Sequence, residues 1–444
     1  MNELYPKSHF ALRLNELILV VALLMVAIFS IQPFTAIPFG NTAFWWAVQS
    51  GLLVSLLFAF STSPWTSLAP KVRVVTVFYL SWIVIGVLRG ALLAETYWQW
   101  KELINNVFPL CLPLGMVLGM NSERLGASFS FYLRFVVPLG LLILGAKLGG
   151  YGLFVALTPL LVLLVPYMGL GARVIVLLLS ISVLFAGEGF RSILIKNAVP
   201  IIIISAHPIA VLFPKRYFEV ARKTLFVIPL VLLALGASGI FNIFQIGQYI
   251  DQEITLERVN AVTGDSEHSS IFADTRTGIY REVLDTFQTY GCWIAGRTPA
   301  RGSETELFAS GSLLVSENGQ PERTMHEIGE LNIFMWLGLI GIIFQSSIFY
   351  FASHHAIANA PSFFGKAAGL YLAFRWAYGW AEEINNYSLT HLSLWILVGI
   401  CSSRWITELT DADIRNWTTR VFRGQFKIGE ISNAHAHSRP PHLS

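Results

Sequence analysis

The residues best equipped for chemistry lie where a polar segment of the chain meets an apolar one. His326 stands in Arg323-Thr324-Met325-His326-Glu327-Ile328-Gly329-Glu330, directly before the apolar run Leu331 to Phe351. Imidazole is the side chain whose ordinary pKa suits proton transfer near neutral pH. Glu330 follows four residues later, so a helix through both would put them on one face, where the carboxylate can orient the ring. The same two residues can equally cap and solvate the start of a helix.

Upstream lies Arg276-Thr277-Gly278-Ile279-Tyr280-Arg281-Glu282-Val283-Leu284. Ile279, Val283, Leu284 and Phe287 recur at helical spacing. Arg276 and Tyr280 fall one turn apart with Arg281 beside them, and Asp274 or Thr275 can cap the start. A solvated amphipathic helix has the same pattern. Next comes Gly296-Arg297-Thr298-Pro299-Ala300-Arg301-Gly302, a glycine- and proline-rich turn whose backbone N–H groups can meet an anion or simply reverse the chain. Arg191 sits in Gly187-Glu188-Gly189-Phe190-Arg191-Ser192 between two apolar runs, where it either binds a ligand or snorkels. Glu382 and Glu383 can balance arginines or bind sugar hydroxyls. Trp98 and Trp100 beside Lys101 suit a carbohydrate groove or an interfacial aromatic belt.

The elements that must position these groups are apolar helices. Of 444 residues, 54% are hydrophobic and only 13% charged, against about a quarter charged in a soluble domain. Runs of the length needed to span a bilayer recur, and the alternation of a membrane β-barrel is absent. The expected fold is all-α, a polytopic membrane bundle of about 12 transmembrane helices with one long, partly helical loop. Its spans are 15–35, 43–62, 74–94, 104–121, 128–147, 150–169, 173–188, 193–213, 223–242, 328–351, 365–383 and 388–403. The domains are 1–242 (nine helices), 243–327 (loop), 328–403 (three helices) and 404–444 (tail). The first span reads as a retained helix, not a cleaved signal.

Lysine and arginine in the short connections set the orientation. Lys7, Arg13, Lys71, Arg73, Arg124, Lys215, Arg216 and Lys366 fall on one side with the tail arginines. That side is expected to be cytoplasmic, with both termini, so the long loop lies outside. The loop carries six arginines (258, 276, 281, 297, 301, 323) and no lysine. Guanidinium forks suit phosphate oxygens bidentately. Tail residues Trp405, Leu409, Ile414, Trp417 and Val421 predict a helix lying on the inner leaflet. Cys111, Cys292 and Cys401 form no metal spacing, and His435, His437 and His442 sit in a tail with nothing to fix ligand geometry. No metal and no cofactor are expected. Arg134 and Arg375 fall within apolar runs, as charges lining a transport path would.

The order of these motifs resembles the O-antigen ligase / O-antigen polymerase superfamily of bacterial envelope glycosyltransferases. Its members have many helices and one long periplasmic loop towards the C-terminal third. Arg276 to Leu284 is similar to the family's arginine, aromatic, arginine pattern. The Gly296 turn stands where the family has Gly-x-Gly, with Thr298 at the second glycine. His326, followed by Trp336-Leu337-Gly338-Leu339-Ile340-Gly341, resembles the loop-terminal histidine and apolar run, although Glu327 replaces the usual asparagine. Arg191-Ser192 resembles the upstream Ser-Arg-small motif. The detailed likeness covers roughly residues 180–345.

The resemblance implies metal-independent transfer, GT-C-like, from a glycan on undecaprenyl pyrophosphate in the bacterial inner membrane. Arg191 and Arg276 would hold the diphosphate, with Arg281, Arg297, Tyr280 and Glu330 binding substrate, and His326 would activate the acceptor hydroxyl. The acceptor would be a growing glycan or lipid A–core. Membrane lipids and other polysaccharide-assembly proteins are implied partners, and nucleic acid is not. The alternative is a flippase or transporter of lipid-linked oligosaccharide.

Overall fold

The computed structural model describes residues 19–21, 23–26, 40–63, 65–138, 157–186, 191–245, 255–259, 266–270, 276–309 and 314–426, without the side chains of 182–186, 191–193, 210–212, 255–259 and 266–270. The Gly187 turn, Asp274, Thr275 and the tail histidines lie outside them. Helix makes up 76% and strand 3%, so the protein is helical throughout its bulk.

Among the described residues five helices are long and apolar enough to cross a membrane. They are α1 (Thr42–Thr62), α2 (Pro70–Leu93), a segment Tyr97–Gly119 that begins as α3 (Tyr97–Leu110), α7 (Lys215–Ala237) and α9 (Gly329–Asn359). Shorter helices are α4 (Ser122–Phe131), α5 (Leu170–Ala186), α6 (Arg191–Ser205), α8 (Arg276–Tyr290), α10 (Phe363–Tyr378), α11 (Leu389–Ser402) and α12 (Asp411–Phe422). Prolines account for some of the shortening. The expected span 104–121 breaks into 3-10 and α turns after Pro109 and at Pro113, because proline lacks the N–H that would continue the ladder.

Helix α9 is the hub, packing against α2, α7, α10 and α11. It is broken at Gly338, whose φ of 67° and ψ of −165° are not helical. The loop turn Trp293–Arg297 plugs the break. Leu339 N–H donates to Trp293 O at 2.9 Å, and Arg297 N–H to Met335 O at 2.7 Å. Arg89 reaches across from α2 to the carbonyls of Ala295 and Gly296 at 2.6 and 3.2 Å. Met335 O, Leu339 N–H and Ile340 N–H thus find partners in the turn, and Leu337 O accepts from Trp82 Nε1 at 2.9 Å, as irregular backbone in a membrane protein requires. The stretch from Gly338 to Asn359 is about 32 Å long at 1.5 Å per residue, close to a hydrocarbon core of about 30 Å. The break thus falls about one bilayer thickness from the far end of the helix.

The polar segment between Ala237 and Gly329 carries more than the expected helix. It holds α8, the antiparallel pair β1 (Thr255–Val259) and β2 (Ser266–Ser270), and a small sheet ordered β3-β5-β4 from Ser303–Glu304, Pro321–Arg323 and Leu314–Val315.

The tail differs from expectation. Ile414, Trp417 and Val421 of α12 are buried against protein. Trp417 Nε1 donates to Ser122 O at 2.9 Å, and Arg420 pairs with Glu123 at 3.2 Å. The apolar face that sequence assigned to lipid packs on α4. Arg134, a candidate for a transport path, is exposed and lies against Gly424 of the tail.

Candidate functional site

Helix α8 is amphipathic, with Ile279, Val283 and Phe287 buried. That face locks it onto α9, where Phe287 stacks on Phe334 at 4.2 Å. Its polar flank grips a turn after α10. Arg276 Nε donates to Ala381 O at 2.6 Å and Nη2 meets Glu382 at 3.2 Å, while Tyr280 Oη donates to Trp380 O at 2.5 Å. The N-terminus of α9 holds the same turn, through Gly329 N–H to Glu382 O at 3.0 Å and Glu330 N–H to Gly379 O at 3.2 Å. The turn 379–382 is thus trapped between two helix ends.

Beside this clamp lies a groove of about 650 Å³ between α7, α8 and α9. Leu232, Leu233, Leu339 and Ile342 line its apolar length, and Tyr280, Arg281 and Glu330 its polar end. Arg281 is exposed and makes no hydrogen bond or ion pair among the described residues. Glu330 is fully buried; one oxygen meets Gln345 Nε2 at 3.4 Å and the other has no partner among the described residues.

His326 is not part of the groove lining. Helix α9 begins only at Gly329, after the extended cap Ile328, so His326 does not share a helical face with Glu330 and the expected pairing is absent. The ring is buried and its Nε2 lies 3.2 Å from Ser303 Oγ on β3. Asn332 clamps the backbone on both sides, accepting from His326 N–H at 2.6 Å and donating to its carbonyl at 2.9 Å. Nδ1 has no partner. Burial, reinforced by the positive Arg323, pushes the pKa of His326 down to about 3. It is held neutral, with one ring nitrogen unengaged.

Arg297 is reassigned by its surroundings. It bonds Glu322 at 2.7 Å, Glu317 at 2.6 Å and Gly302 O at 3.0 Å, and stacks over Tyr290. Arg301 forks onto the same buried Glu322. Two guanidiniums around one buried carboxylate hold the loop sheet together, Arg297 through Nη1 and Nη2 and Arg301 through Nε and Nη2. In the Gly296 turn the N–H groups of Gly296, Arg297 and Arg301 are likewise committed, to Cys292 O, Met335 O and Thr298 O, so these three offer nothing to an anion. Arg191 opens α6, and its side chain lies outside the described residues.

The structure therefore brings Arg276, Tyr280, Arg281 and Glu330 around one clamp and groove, and sets His326 and Arg297 apart from it. Sequence reasoning missed Ser303 and Asn332, which are ordinary loop and helix residues with no distinguishing spacing. It also passed over Lys196, which lies 3.9 Å from Glu382; a lysine inside an apolar run was the available signal. Glu382 balances Arg276 and Lys196. Lys101 lies over Trp98 at 4.9 Å. No protein-family model matches the chain, and no curated protein matches it.

Proposed function

We propose that this protein is a membrane glycosyltransferase that polymerises or ligates a glycan carried on undecaprenyl pyrophosphate, at the exoplasmic face of a bacterial inner membrane. In this reading about 12 spans surround the long loop, and both termini are cytoplasmic. The observation that carries it is the groove. A lipid-linked donor needs an apolar track continuous with a polar end, and the groove joins Leu232 and Ile342 to Tyr280, Arg281 and Glu330.

Diphosphate is already a good leaving group, so the protein has to supply charge and position more than strong acid. Arg281, with its donors available, suits a phosphate oxygen. Arg276 shares its charge with Glu382, and a competing anion can draw on it. His326 is a weak base while buried beside Arg323. A dianionic headgroup nearby would favour its protonated form, coupling base strength to donor binding. The acceptor oxygen would attack the anomeric carbon and the bond to the diphosphate oxygen would break; because His326 lies buried outside the groove lining, in this reading donor binding must bring its Nδ1 to the acceptor, whose proton then passes to it.

A lipid-linked oligosaccharide flippase is the second reading, favoured by Lys196 and Arg375, which are buried charges inside apolar helices. The test is purified protein in liposomes with a lipid-diphosphate-linked glycan, read as a polymer or acceptor ladder. His326→Ala is expected to slow transfer by about 100- to 10,000-fold, with Arg276→Ala and Arg281→Ala also impaired. Full-length product from all three variants, at normal abundance, overturns the assignment. A flippase would instead move the intact lipid across the bilayer without lengthening the glycan.

A further inference from the structure

Arg375 lies in the last turn of α10 and is 2% exposed, yet its Nε and Nη2 have no hydrogen-bond partner among the described residues. These two N–H groups form one edge of the guanidinium, the edge that grips planar oxyanions side-on. Three other arginines of this chain present that same edge to a protein acceptor. Arg222 gives Nε and Nη2 to Glu219 at 3.0 and 2.8 Å, Arg301 gives both to Glu322, and Arg276 gives them to Ala381 O and Glu382. Arg375 alone of these four has its fork unmatched.

Its neighbour is another cation. Lys196 on α6 is 7% exposed and within electrostatic range of Arg375. Tyr371 joins them, donating its hydroxyl to Lys196 O at 3.0 Å and contacting Arg375. The acids nearby are already engaged. Glu382 is shared between Lys196 at 3.9 Å and Arg276 at 3.2 Å, and Glu383, which accepts from the neutral amide of Asn386 at 2.8 Å, lies within electrostatic range of Lys196. Three cations thus face two carboxylates, and His391, buried beside them, has both ring nitrogens bonded. Two like charges inside an apolar bundle, one with an open bidentate fork, are costly unless a ligand completes them.

We infer that Lys196 and Arg375 form a buried seat for a phosphate-type oxyanion, one turn inside the loop end of the bundle and separate from the loop arginines. The seat deepens the transferase reading and rests on it for the lipid-borne source of that oxyanion; the same chemistry fits a free diphosphate. Two probes distinguish the sources: inorganic diphosphate, and undecaprenyl diphosphate in detergent micelles. Full-length protein is titrated with each, by calorimetry and by the rise in thermal midpoint.

Arg375→Gln and Lys196→Met are each expected to weaken binding by about 10- to 100-fold, the loss of one charge-assisted pair. Arg216→Ala, an exposed cation at the other end of α7, is expected to leave binding intact. Arg375→Gln without ligand should melt at or above the wild-type temperature, because it removes an unpaired buried charge; a structural ion-pair residue would melt lower. Binding of both probes supports a free-anion source, and binding of the lipid alone supports the headgroup. Equal affinity in wild type and Arg375→Gln overturns the seat, as does a wild-type protein that binds neither probe. The glycan-ladder assay reads the transferase reading on its own, so either can fail without the other.

Discussion

Replacing Gly338 by alanine tests how the loop is held in the broken helix. Its φ of 67° with ψ of −165° is a conformation essentially confined to glycine. An L-residue there costs about 1–3 kcal/mol. A Cβ would also sit 2.3 Å from Ile294 O and 2.5 Å from Gly296 N, both backbone atoms of the inserted turn. Neither can yield without withdrawing the turn, which breaks the bonds from Leu339 N to Trp293 O and from Arg297 N to Met335 O. At about 1 kcal/mol each, the total loss is about 3–5 kcal/mol. The assay is thermal unfolding in micelles together with trypsin cleavage after Arg297 and Arg301, both buried in the intact loop. Gly338→Ala should melt earlier and be cut at those arginines. Gly296→Ala should do the same, since its Cβ would meet Gly338 N at 2.6 Å. Gly319→Ala is the control: its φ is 78° but nothing lies within 4 Å, so it should lose about 1 kcal/mol and stay resistant. If Gly338→Ala stays as resistant as Gly319→Ala, the inserted turn does not lean on the break.

Two further predictions concern the same region. Thr298 has φ 91° and a buried hydroxyl without a partner among the described residues, so Thr298→Gly should raise stability by about 1 kcal/mol after the entropy of a freer unfolded chain is subtracted; a lower melting point would contradict the strain. The His326 pKa of about 3 lies below its ordinary 6.5, so the unfolded chain takes up a proton that the folded chain resists. Its contribution to stability is complete above pH 6.5 and is lost as pH falls towards 3, at a limiting slope of about 1.4 kcal/mol per pH unit. Melting curves of wild type and His326→Asn should diverge over that window, and parallel curves would show that the ring is not held neutral.

The sequence by itself determined the solvent of this chain and the ends of many of its elements. Apolar runs with few charges must leave water, and a helix meets that need with its own hydrogen bonds; α1, α2 and α11 sit close to where hydropathy put them, while α7 starts earlier and α9 ends later than expected. The Arg276–Phe287 helix was legible for the same local reason, because its 3.6-residue period needs no distant partner. What only the tertiary structure decided is which polar groups are already paired. Arg276, Arg281, Arg297 and Arg375 are one residue type in the sequence. In the fold, Arg297 is satisfied by Glu317 and Glu322 from 20 and 25 residues away, Arg276 by a turn over 100 residues distant, and Arg281 and the fork of Arg375 by no described residue. The break in α9 was hidden likewise, since Gly338 reads as one more apolar-run glycine until Gly296 is seen pressed against it. Pairing is a long-range property, and local spacing carries no record of it.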